Sequence, residues 1–503
     1  MRTILVVFIA LYFIAGCSTH PESLTKPPNI VFIFADDQTF SAIHAFGNEE
    51  IYTPNLDQLV QNGTSFTHAY NMGSWSGAVC AASRAMLISG RSVWNANTFR
   101  KHWIKNDSLN KTWGKILSTH GYDTYMTGKW HVDAKAEKVF QHVKHVRPGM
   151  PNDNWDHATM VRKFDSLEMV QSNDYESIMP FGYNRPKHKN DTAWLPYNKH
   201  LGGFWEGGKH WSEVIKDDAI SFLKQTEESE NPFFMYVAFN APHDPRQAPK
   251  EFLDMYDIDA ISVPKSFLPE YPHRHAIKNG NSLRDEALAP FPRTKHAIKT
   301  HLKEYYAIIS HLDVQIGKIL DALAETGKAN NTYIVFTADH GLAMGKHGLL
   351  GKQNLFDHSI RVPMILAGPD IPKNKKIDAD IYLQDAMATT LELAKIEKPD
   401  YVFFNSFLSL AKGKKHSSAY TTIYGAYLDV QRMIRKDNYK LLVYPNLKKT
   451  LLFDLKNDPE EMIDIANNPN QKERLKSLFS ELLVLQNEMN DPLDLTPIYN
   501  NLN

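Results

Sequence analysis

Three continuous apolar runs constrain the fold of this chain more than any other feature of its sequence. They cover residues 29–35, 232–239 and 332–338, and turn-forming residues bound each of them. Runs of this length are typical of strands that are buried on both faces of a parallel sheet. Helical patterns at residues 53–62 and 305–326 lie between them, and this alternation indicates an α/β fold. We therefore expect a large mixed, mostly parallel sheet with helices on both of its faces.

Polar residues directly follow two of these runs. Asp36 and Asp37 come after the first run, and Asp339 and His340 come after the third. Ligands of open α/β folds bind at the carboxyl ends of the strands, so we expect the two pairs to meet at one sheet edge. Carboxylate oxygens are the hard ligands that Ca²⁺ and Mg²⁺ prefer. The sequence thus indicates a divalent cation site, although an Asp-Asp pair alone is also typical of a turn or a helix cap.

The pattern changes after residue 412. Short strand patterns occur at residues 419–424, 431–444 and 451–455. An amphipathic helical pattern follows at residues 473–490. We therefore divide the chain into a polar tether at residues 17–28, a main domain at residues 29–412 and a small α+β C-terminal domain at residues 413–503.

The N-terminus resembles an export signal. A positively charged start precedes an apolar run at residues 4–14, which is too short for a comfortable membrane span. Residues 14–17, Ile-Ala-Gly-Cys, resemble a bacterial lipobox, in which residues 1–16 are removed and Cys17 receives lipid. Ser18 resembles a signal for sorting to the outer membrane. We expect an exported lipoprotein in the periplasm or on the outer membrane of a Gram-negative bacterium; the alternative is a plain signal peptide with an incidental cysteine.

The charge balance and the cysteine count narrow the possible partners. Lys plus Arg number 56 and Asp plus Glu number 57, a balance that argues against a nucleic acid partner. If Cys17 carries lipid, Cys80 has no partner and the fold has no disulfide. The segments at residues 135–208 and 245–300 are long and irregular in pattern. Functional loops and ordinary insertions are both open interpretations of these segments.

The segment at residues 80–91 has the sequence Cys-Ala-Ala-Ser-Arg-Ala-Met-Leu-Ile-Ser-Gly-Arg. We expect a helix to begin near Ser83, so that its dipole and the charge of Arg84 polarise the Cys80 thiol. A buried structural cysteine is the alternative. The segment resembles the signature of the formylglycine-dependent sulfatases, in which the cysteine is oxidised to Cα-formylglycine after synthesis. Ala82 and Ser89 are mild departures from that signature, which more often has Pro and Thr there.

Further motifs follow in the order of that family. They are Gly-Lys-Trp-His at residues 128–131, Ala-Pro-His at 241–243, Asp-His-Gly at 339–341 and Gly-Lys at 351–352. The resemblance covers roughly residues 28 to 465 and implies an alkaline-phosphatase-like fold with a catalytic sulfatase domain at residues 29–412. It implies the catalytic residues Cys80, Arg84, Lys129, His131, His243 and Lys352. It also implies one Ca²⁺, or less typically Mg²⁺, held by Asp36, Asp37, Cys80, Asp339 and His340.

The resemblance implies a mechanism as well. Hydrated formylglycine at position 80 attacks sulfur, while His243 and Lys352 stabilise or protonate the departing oxygen. His131 takes a proton from the remaining hydroxyl, the aldehyde forms again and inorganic sulfate leaves. His340 stands where many members have Asn, and imidazole is a less usual neighbour of Ca²⁺.

Substrate contacts are predicted from cationic residues near these motifs: Arg246, Arg100, His102 and His210. A solvated surface is the alternative interpretation for them. We expect hydrolysis of sulfate esters of a carbohydrate or polysaccharide, after maturation by a formylglycine-generating enzyme. Two other functions stay open, a phosphoesterase or phosphonate hydrolase on the same fold and a non-catalytic lipoprotein that binds sulfated glycans.

Overall fold

The computed structural model describes residues 26–502 of the chain. The predicted signal peptide, Cys17 and most of the tether therefore lie outside the described residues. Within residues 26–502 the chain forms an eight-stranded sheet, a five-stranded sheet and a two-stranded ribbon, all surrounded by helices. In the same part of the chain, the helices are all too short or too polar to cross a membrane.

The strands are β1 (Asn29–Ala35), β2 (Gly63–Tyr70), β3 (Gly73–Ser74), β4 (Asp123–Lys129), β5 (His142–Arg147), β6 (Trp205–Glu206), β7 (Lys209–His210), β8 (Phe233–Ala238), β9 (Thr332–Ala338), β10 (Arg361–Ala367), β11 (Lys375–Tyr382), β12 (Ile423–Tyr427), β13 (Gln431–Lys436), β14 (Tyr439–Tyr444) and β15 (Lys449–Asp454). The helices are α1 (Pro54–Asn62), α2 (Val79–Ser89), α3 (Val93–Ile104), α4 (Trp113–Thr119), α5 (Ala136–Val139), α6 (His157–Met169), α7 (Trp211–Thr226), α8 (Lys250–Asp254), α9 (Lys295–Glu325), α10 (Asp357–Ile360), α11 (Asp385–Leu393), α12 (Leu408–Ala411), α13 (Lys472–Met489) and α14 (Thr496–Asn500).

The large sheet has the strand order β11–β2–β10–β9–β1–β8–β4–β5. Strand β10 runs antiparallel to β2 and β9, whereas the other neighbouring strands run parallel to each other. Every residue of β1 and of β8 is buried, as expected for strands with both faces covered. The predicted large, mixed, mostly parallel sheet is confirmed, and the three apolar runs are its central strands.

The strand register brings the predicted polar residues to one edge. Ala35, the last residue of β1, pairs with Ala338, the last residue of β9, so Asp36 and Asp339 leave the sheet side by side. On the other side of β1, Gly128 of β4 pairs with Ala238 of β8. The next residue of β4, Lys129, therefore enters the same space. The expectation that the two acidic pairs meet at one sheet edge is confirmed.

The C-terminal α+β domain is present, and its sheet has the order β15–β14–β13–β12–β3. Strand β3 comes from the main domain, and its residues Gly73 and Ser74 pair in parallel with Ala426 and Tyr427 of β12. The domain is therefore joined to the segment that immediately precedes α2. The boundary at residue 413 stays a prediction.

Two local predictions were wrong. The strand expected at residues 419–424 is β12, which begins later, at Ile423. The segment at residues 135–208 is not irregular throughout, because it contains β5 and the 13-residue helix α6. Polar, His-rich composition hid the helical pattern, since α6 buries little apolar surface: Met160 is its buried residue.

Gly128 provides a test of the pairing between β4 and β8. Its φ is +93°, and an added Cβ would lie 1.9 Å from the backbone oxygen of Ala238. We expect Gly128→Ala to lower the free energy of unfolding by at least about 2 kcal/mol more than Gly121→Ala does. Gly121 is a matched control, because its φ is +86° but nothing lies within 4 Å of its added Cβ. Urea unfolding measures both, and equal losses would contradict the close approach of β4 and β8.

Candidate active site

Cys80 lies in the first turn of α2, which begins at Val79 rather than near Ser83 as expected. Its side chain is buried, and its Sγ lies 3.2 Å from Nε2 of His340 and 3.4 Å from Nζ of Lys352. Burial disfavours the thiolate, but the positive charges of Lys129, Lys352 and His340 outweigh it and hold the pKa of Cys80 well below its usual value. The site is therefore built to stabilise negative charge at position 80.

Three carboxylates surround Cys80: Asp36, Asp37 and Asp339 are fully buried. Oxygen atoms of Asp36 and Asp339 and ring or sulfur atoms of His340 and Cys80 lie within 4.8 Å of one another. Oδ1 of Asp36 has no hydrogen-bond partner among the residues described. Burial raises the pKa of Asp36, and the negative charge of Asp339 raises it further. This unpartnered oxygen within a hard-ligand cluster fits a divalent cation.

Each carboxylate also contacts a buried cation. Lys129 donates from Nζ to Asp36, and Nζ of Lys352 lies 2.9 and 2.8 Å from the two carboxylate oxygens of Asp37. Nε of Arg84 donates to Oδ2 of Asp339 at 3.0 Å. Paired charges of this kind are the form in which buried ionic groups are tolerated.

Arg84 also links the strands to the nucleophile helix. Its Nη1 donates to the backbone oxygen of Lys129 at 2.9 Å, and its guanidinium lies 4.6 Å from the ring centroid of Phe34. One residue earlier, Oγ of Ser83 donates to the backbone oxygen of Asp339 at 2.8 Å. These contacts hold α2 against the ends of β1, β4 and β9, which places Cys80 at the sheet edge.

Three histidines border the cluster. Nδ1 of His243 donates to the backbone oxygen of Asp244 at 2.7 Å, which leaves Nε2 facing Asp37 at 3.8 Å. Burial lowers the pKa of His131, whose ring packs against Gly149: an added Cβ there would lie 2.5 Å from the ring. His340 differs, since burial opposes its charged form but Asp339 and Asp37 raise its pKa to about 9.

All predicted catalytic and metal residues thus converge at one edge of the sheet. Their chemical roles stay predictions, because the geometry shows proximity rather than reaction. The predicted substrate residues behave differently from this core set.

His210, which was predicted to contact substrate, is fully buried, and its substrate role stays a prediction. Its Nδ1 accepts from the backbone N–H of Ser212 at the start of α7, and its Nε2 contacts the backbone oxygen of Gln247 at 3.0 Å. His102 is exposed but pairs with Asp107, in a pocket separate from the catalytic cluster. The pattern of a histidine near a tryptophan is the same whether the histidine lies on the surface or in the core. The sequence alone therefore did not reveal that His210 is buried and His102 exposed.

Arg246 is also buried, and its Nη1 lies 3.1 Å from Nδ1 of His301. Its substrate role stays a prediction. Arg100 is different, since its side chain is partly exposed, pairs with Asp133 at 3.1 Å and lines a pocket that also contains His131. Arg100 therefore lies beside the catalytic cluster, on the side of His131.

The sequence analysis missed a charged network that supports this cluster. Arg284 forms ion pairs with Asp244, with Asp285 at 2.6 Å and with Asp153 at 3.4 Å. Asp285 in turn lies 3.8 Å from Nζ of Lys352. The signal available in the sequence was a run of three charged residues, 284–286, in the middle of an otherwise irregular segment.

Glu286, the third member of that run, holds the segment before Lys352. It accepts hydrogen bonds from the backbone N–H groups of Leu350 and Gly351, and it pairs with Arg293. Both charged side chains are buried. The segment at residues 284–286 therefore positions Lys352 in two ways. Asp285 lies near the ammonium group of Lys352, and Glu286 holds the backbone of the two residues before it.

Comparison with known proteins places this site in a family. Residues 28–396 match the sulfatase family, and residues 345–488 match the C-terminal region of N-sulphoglucosamine sulphohydrolase. Over 469 residues the chain is 29% identical to an arylsulfatase of Clostridium perfringens (strain 13 / Type A), covering 91% of this chain and 94% of that protein.

Two solved structures share the fold. One is a complex of a protein with its substrate D-glucosamine-2-N,6-O-disulfate; it has a TM-score of 0.69 and 21% identity, covering 93% of this chain and 99% of that one. The other is the phosphonate monoester hydrolase of Silicibacter pomeroyi, with a TM-score of 0.70 and 18% identity, covering 92% and 95%. The alkaline-phosphatase-like fold is therefore confirmed. Because the family match spans most of its length, the chain belongs to the sulfatase family and is a sulfuric ester hydrolase.

Proposed function

We propose that this sulfatase hydrolyses sulfate esters of carbohydrates, with position 80 converted to formylglycine and one Ca²⁺ bound beside it. The observation that carries the proposal is the convergence of Cys80 with three buried carboxylates and with Lys129 and Lys352 at one sheet edge. A carbohydrate substrate is supported by the structural relative that binds a sulfated glucosamine. The predicted export signal and lipid anchor belong to the same proposal.

Asp36, Asp37 and Asp339 are the residues that would hold the cation, with His340 at the border of the set. Carboxylate oxygens favour Ca²⁺, and the unpartnered Oδ1 of Asp36 offers one such oxygen. When present, formylglycine supplies the nucleophilic oxygen, and the cation withdraws negative charge from the reacting groups.

The remaining chemistry belongs to the side chains themselves. Lys129 and Lys352 present ammonium groups to the space at position 80, where they bind the oxygens of a sulfate group. Nε2 of His243 faces the same space; in the imidazolium form the ring would keep its Nδ1 hydrogen bond to Asp244 and donate the Nε2 proton to the departing sugar oxygen. The side chain of His131 interacts with that of Cys80, and its Nδ1 has no hydrogen-bond partner in residues 26–502, so the ring would accept a proton from the group at position 80.

Metal removal tests the cation. We expect EDTA treatment to lower sulfate release from sulfated saccharides by at least about 100-fold, because three buried carboxylates lose their counter-ion. Added Ca²⁺ should restore the rate better than Mg²⁺ does. Ion chromatography of released sulfate measures the reaction. Full activity after chelation would contradict the proposed requirement for a divalent cation. Faster cleavage of a phosphonate monoester than of any sulfate ester would favour the phosphonate hydrolase interpretation.

Cys80→Ser tests the nucleophile. In an aerobic host we expect this variant to lose turnover by at least about 1,000-fold, because serine is not converted there by the same maturation. Its urea unfolding midpoint should stay near that of the wild type. Mass spectrometry of the wild-type peptide that ends at Arg84 should show a loss of about 18 Da relative to the cysteine form. Normal turnover by Cys80→Ser would remove position 80 from the mechanism.

His243→Ala tests protonation of the leaving group. We expect kcat/KM for a sugar sulfate to fall about 10- to 100-fold more than for 4-nitrophenyl sulfate, since an aryl oxide leaves without a proton. His416→Ala is the matched control, because His416 is exposed in the loop before β12. An equal loss on both esters would assign His243 to sulfate binding instead.

A further inference from the structure

A small pocket adjoins the catalytic cluster along helix α2. Its volume is about 270 Å³, and its lining includes Trp75, Ser76, Ala81, Arg100, His131 and Asp133. Ala81 directly follows Cys80, and His131 borders the catalytic cluster. A ligand with its sulfate group at position 80 therefore has this pocket next to it.

The polar groups of the pocket are held in place by the protein. Nε of Arg100 donates to Oδ1 of Asn97 at 3.1 Å, one α-helical turn earlier, and Nη1 lies 3.1 Å from Oδ2 of Asp133. About a third of each charged side chain is exposed, 34% for Arg100 and 37% for Asp133. Nη2 of Arg100 and Oδ1 of Asp133 have no hydrogen-bond partner in the described part of the chain. A fixed donor and a fixed acceptor thus stand next to each other.

This pair fits hydroxyl groups better than a second anion. The charges of Arg100 and Asp133 cancel, so the pocket provides no net attraction for another sulfate or carboxylate. A hydroxyl group both donates and accepts, and two neighbouring hydroxyls can satisfy the guanidinium and the carboxylate together. Trp75, which is partly buried, adds an aromatic wall of the kind that packs against apolar ring faces.

The volume also limits the occupant. Sites for drug-sized ligands occupy about 300–1,000 Å³, so a pocket below that range suits one ring rather than a chain of sugars. We propose that Arg100 and Asp133 bind a pair of neighbouring hydroxyl groups on a sugar ring of the substrate; we name this site the diol pocket. The proposal rests on the proposed function, because it requires a carbohydrate ester at position 80.

The first test separates sugar recognition from sulfate chemistry. Arg100→Ala and Asp133→Ala are assayed on 4-nitrophenyl sulfate and on whichever of glucose, galactose or glucosamine 6-sulfate the wild type cleaves fastest. We expect KM for the sugar sulfate to rise about tenfold with little change in kcat, which corresponds to the loss of about one hydrogen bond. KM for 4-nitrophenyl sulfate should change less than twofold. Lys101→Ala, an exposed neighbour on α3, is the matched control and should match the wild type on both esters.

The second test uses the sugar without sulfate. The unsulfated sugar should inhibit hydrolysis of 4-nitrophenyl sulfate competitively in the wild type, and about tenfold more weakly in Arg100→Ala. A deoxy sugar that lacks one of the two hydroxyls should inhibit both proteins equally weakly. Equal inhibition of the two proteins by the complete sugar would overturn the diol pocket.

The outcomes distinguish this proposal from the one on which it rests. Equal KM increases for the sugar and aryl esters would overturn the diol pocket, since Arg100 would then support the catalytic centre in general. Unchanged KM on both esters would overturn it as well, while the proposed function would stand. A wild type that cleaves 4-nitrophenyl sulfate but none of the sugar sulfates would overturn both the carbohydrate substrate and the pocket.

Discussion

The pairing of β1 with β9 is the constraint on which the active site depends. It places Asp36 and Asp339 side by side at the end of two fully buried strands, and Asp37 follows one residue later. Three carboxylates in so small a buried space repel one another, so the site requires positive charge at the same place. Lys129, Lys352 and Arg84 supply it from three separate segments of the chain. Removing one partner of such a buried pair costs about 3–5 kcal/mol, so the electrostatics of the reaction and the stability of the fold share the same contacts.

The C-terminal domain extends this constraint to the nucleophile. Strand β3 belongs to the C-terminal sheet, and five residues after it α2 begins at Val79. Val79 and Met86 pack into the apolar core of that domain, while Arg84 and Ser83 on the same helix bind Asp339. Helix α2 is therefore fixed on two sides, by apolar packing against one sheet and by hydrogen bonds to the end of the other. The predicted catalytic residues all precede this domain in the chain, yet its packing against α2 helps to determine where Cys80 lies.

The sequence predicted the sheet and the meeting of the two acidic pairs at its edge, because both are carried by local patterns. Continuous apolar runs mark buried strands, and motifs such as Gly-Lys-Trp-His keep their residues together along the chain. The network of Arg284 with Asp153 and Asp244 was not predictable in this way, because its members lie 40 to 131 residues apart. Burial was equally hidden: His210 and Arg100 are both basic residue types near a tryptophan in sequence, yet His210 is enclosed and Arg100 lines a pocket. Motifs therefore identified the family, whereas the burial of the predicted substrate residues depends on the tertiary structure.

The distribution of charge explains how the carboxylate cluster at the sheet edge differs from the diol pocket. At the sheet edge the carboxylates are fully buried, and Asp36 keeps an oxygen without a partner among the residues described. Buried Lys and Arg side chains offset part of the repulsion in this cluster, and a bound divalent cation would offset more of it, so cation binding would also stabilise the folded chain. In the diol pocket the charges are paired with each other, partly hydrated and already neutral. A neutral, partly exposed ion pair costs little free energy when the pocket holds no ligand. Such a pair distinguishes ligands by hydrogen-bond geometry rather than by charge. One surface would thus separate the two requirements of the proposed carbohydrate sulfatase, strong binding of an anion and selection among uncharged rings.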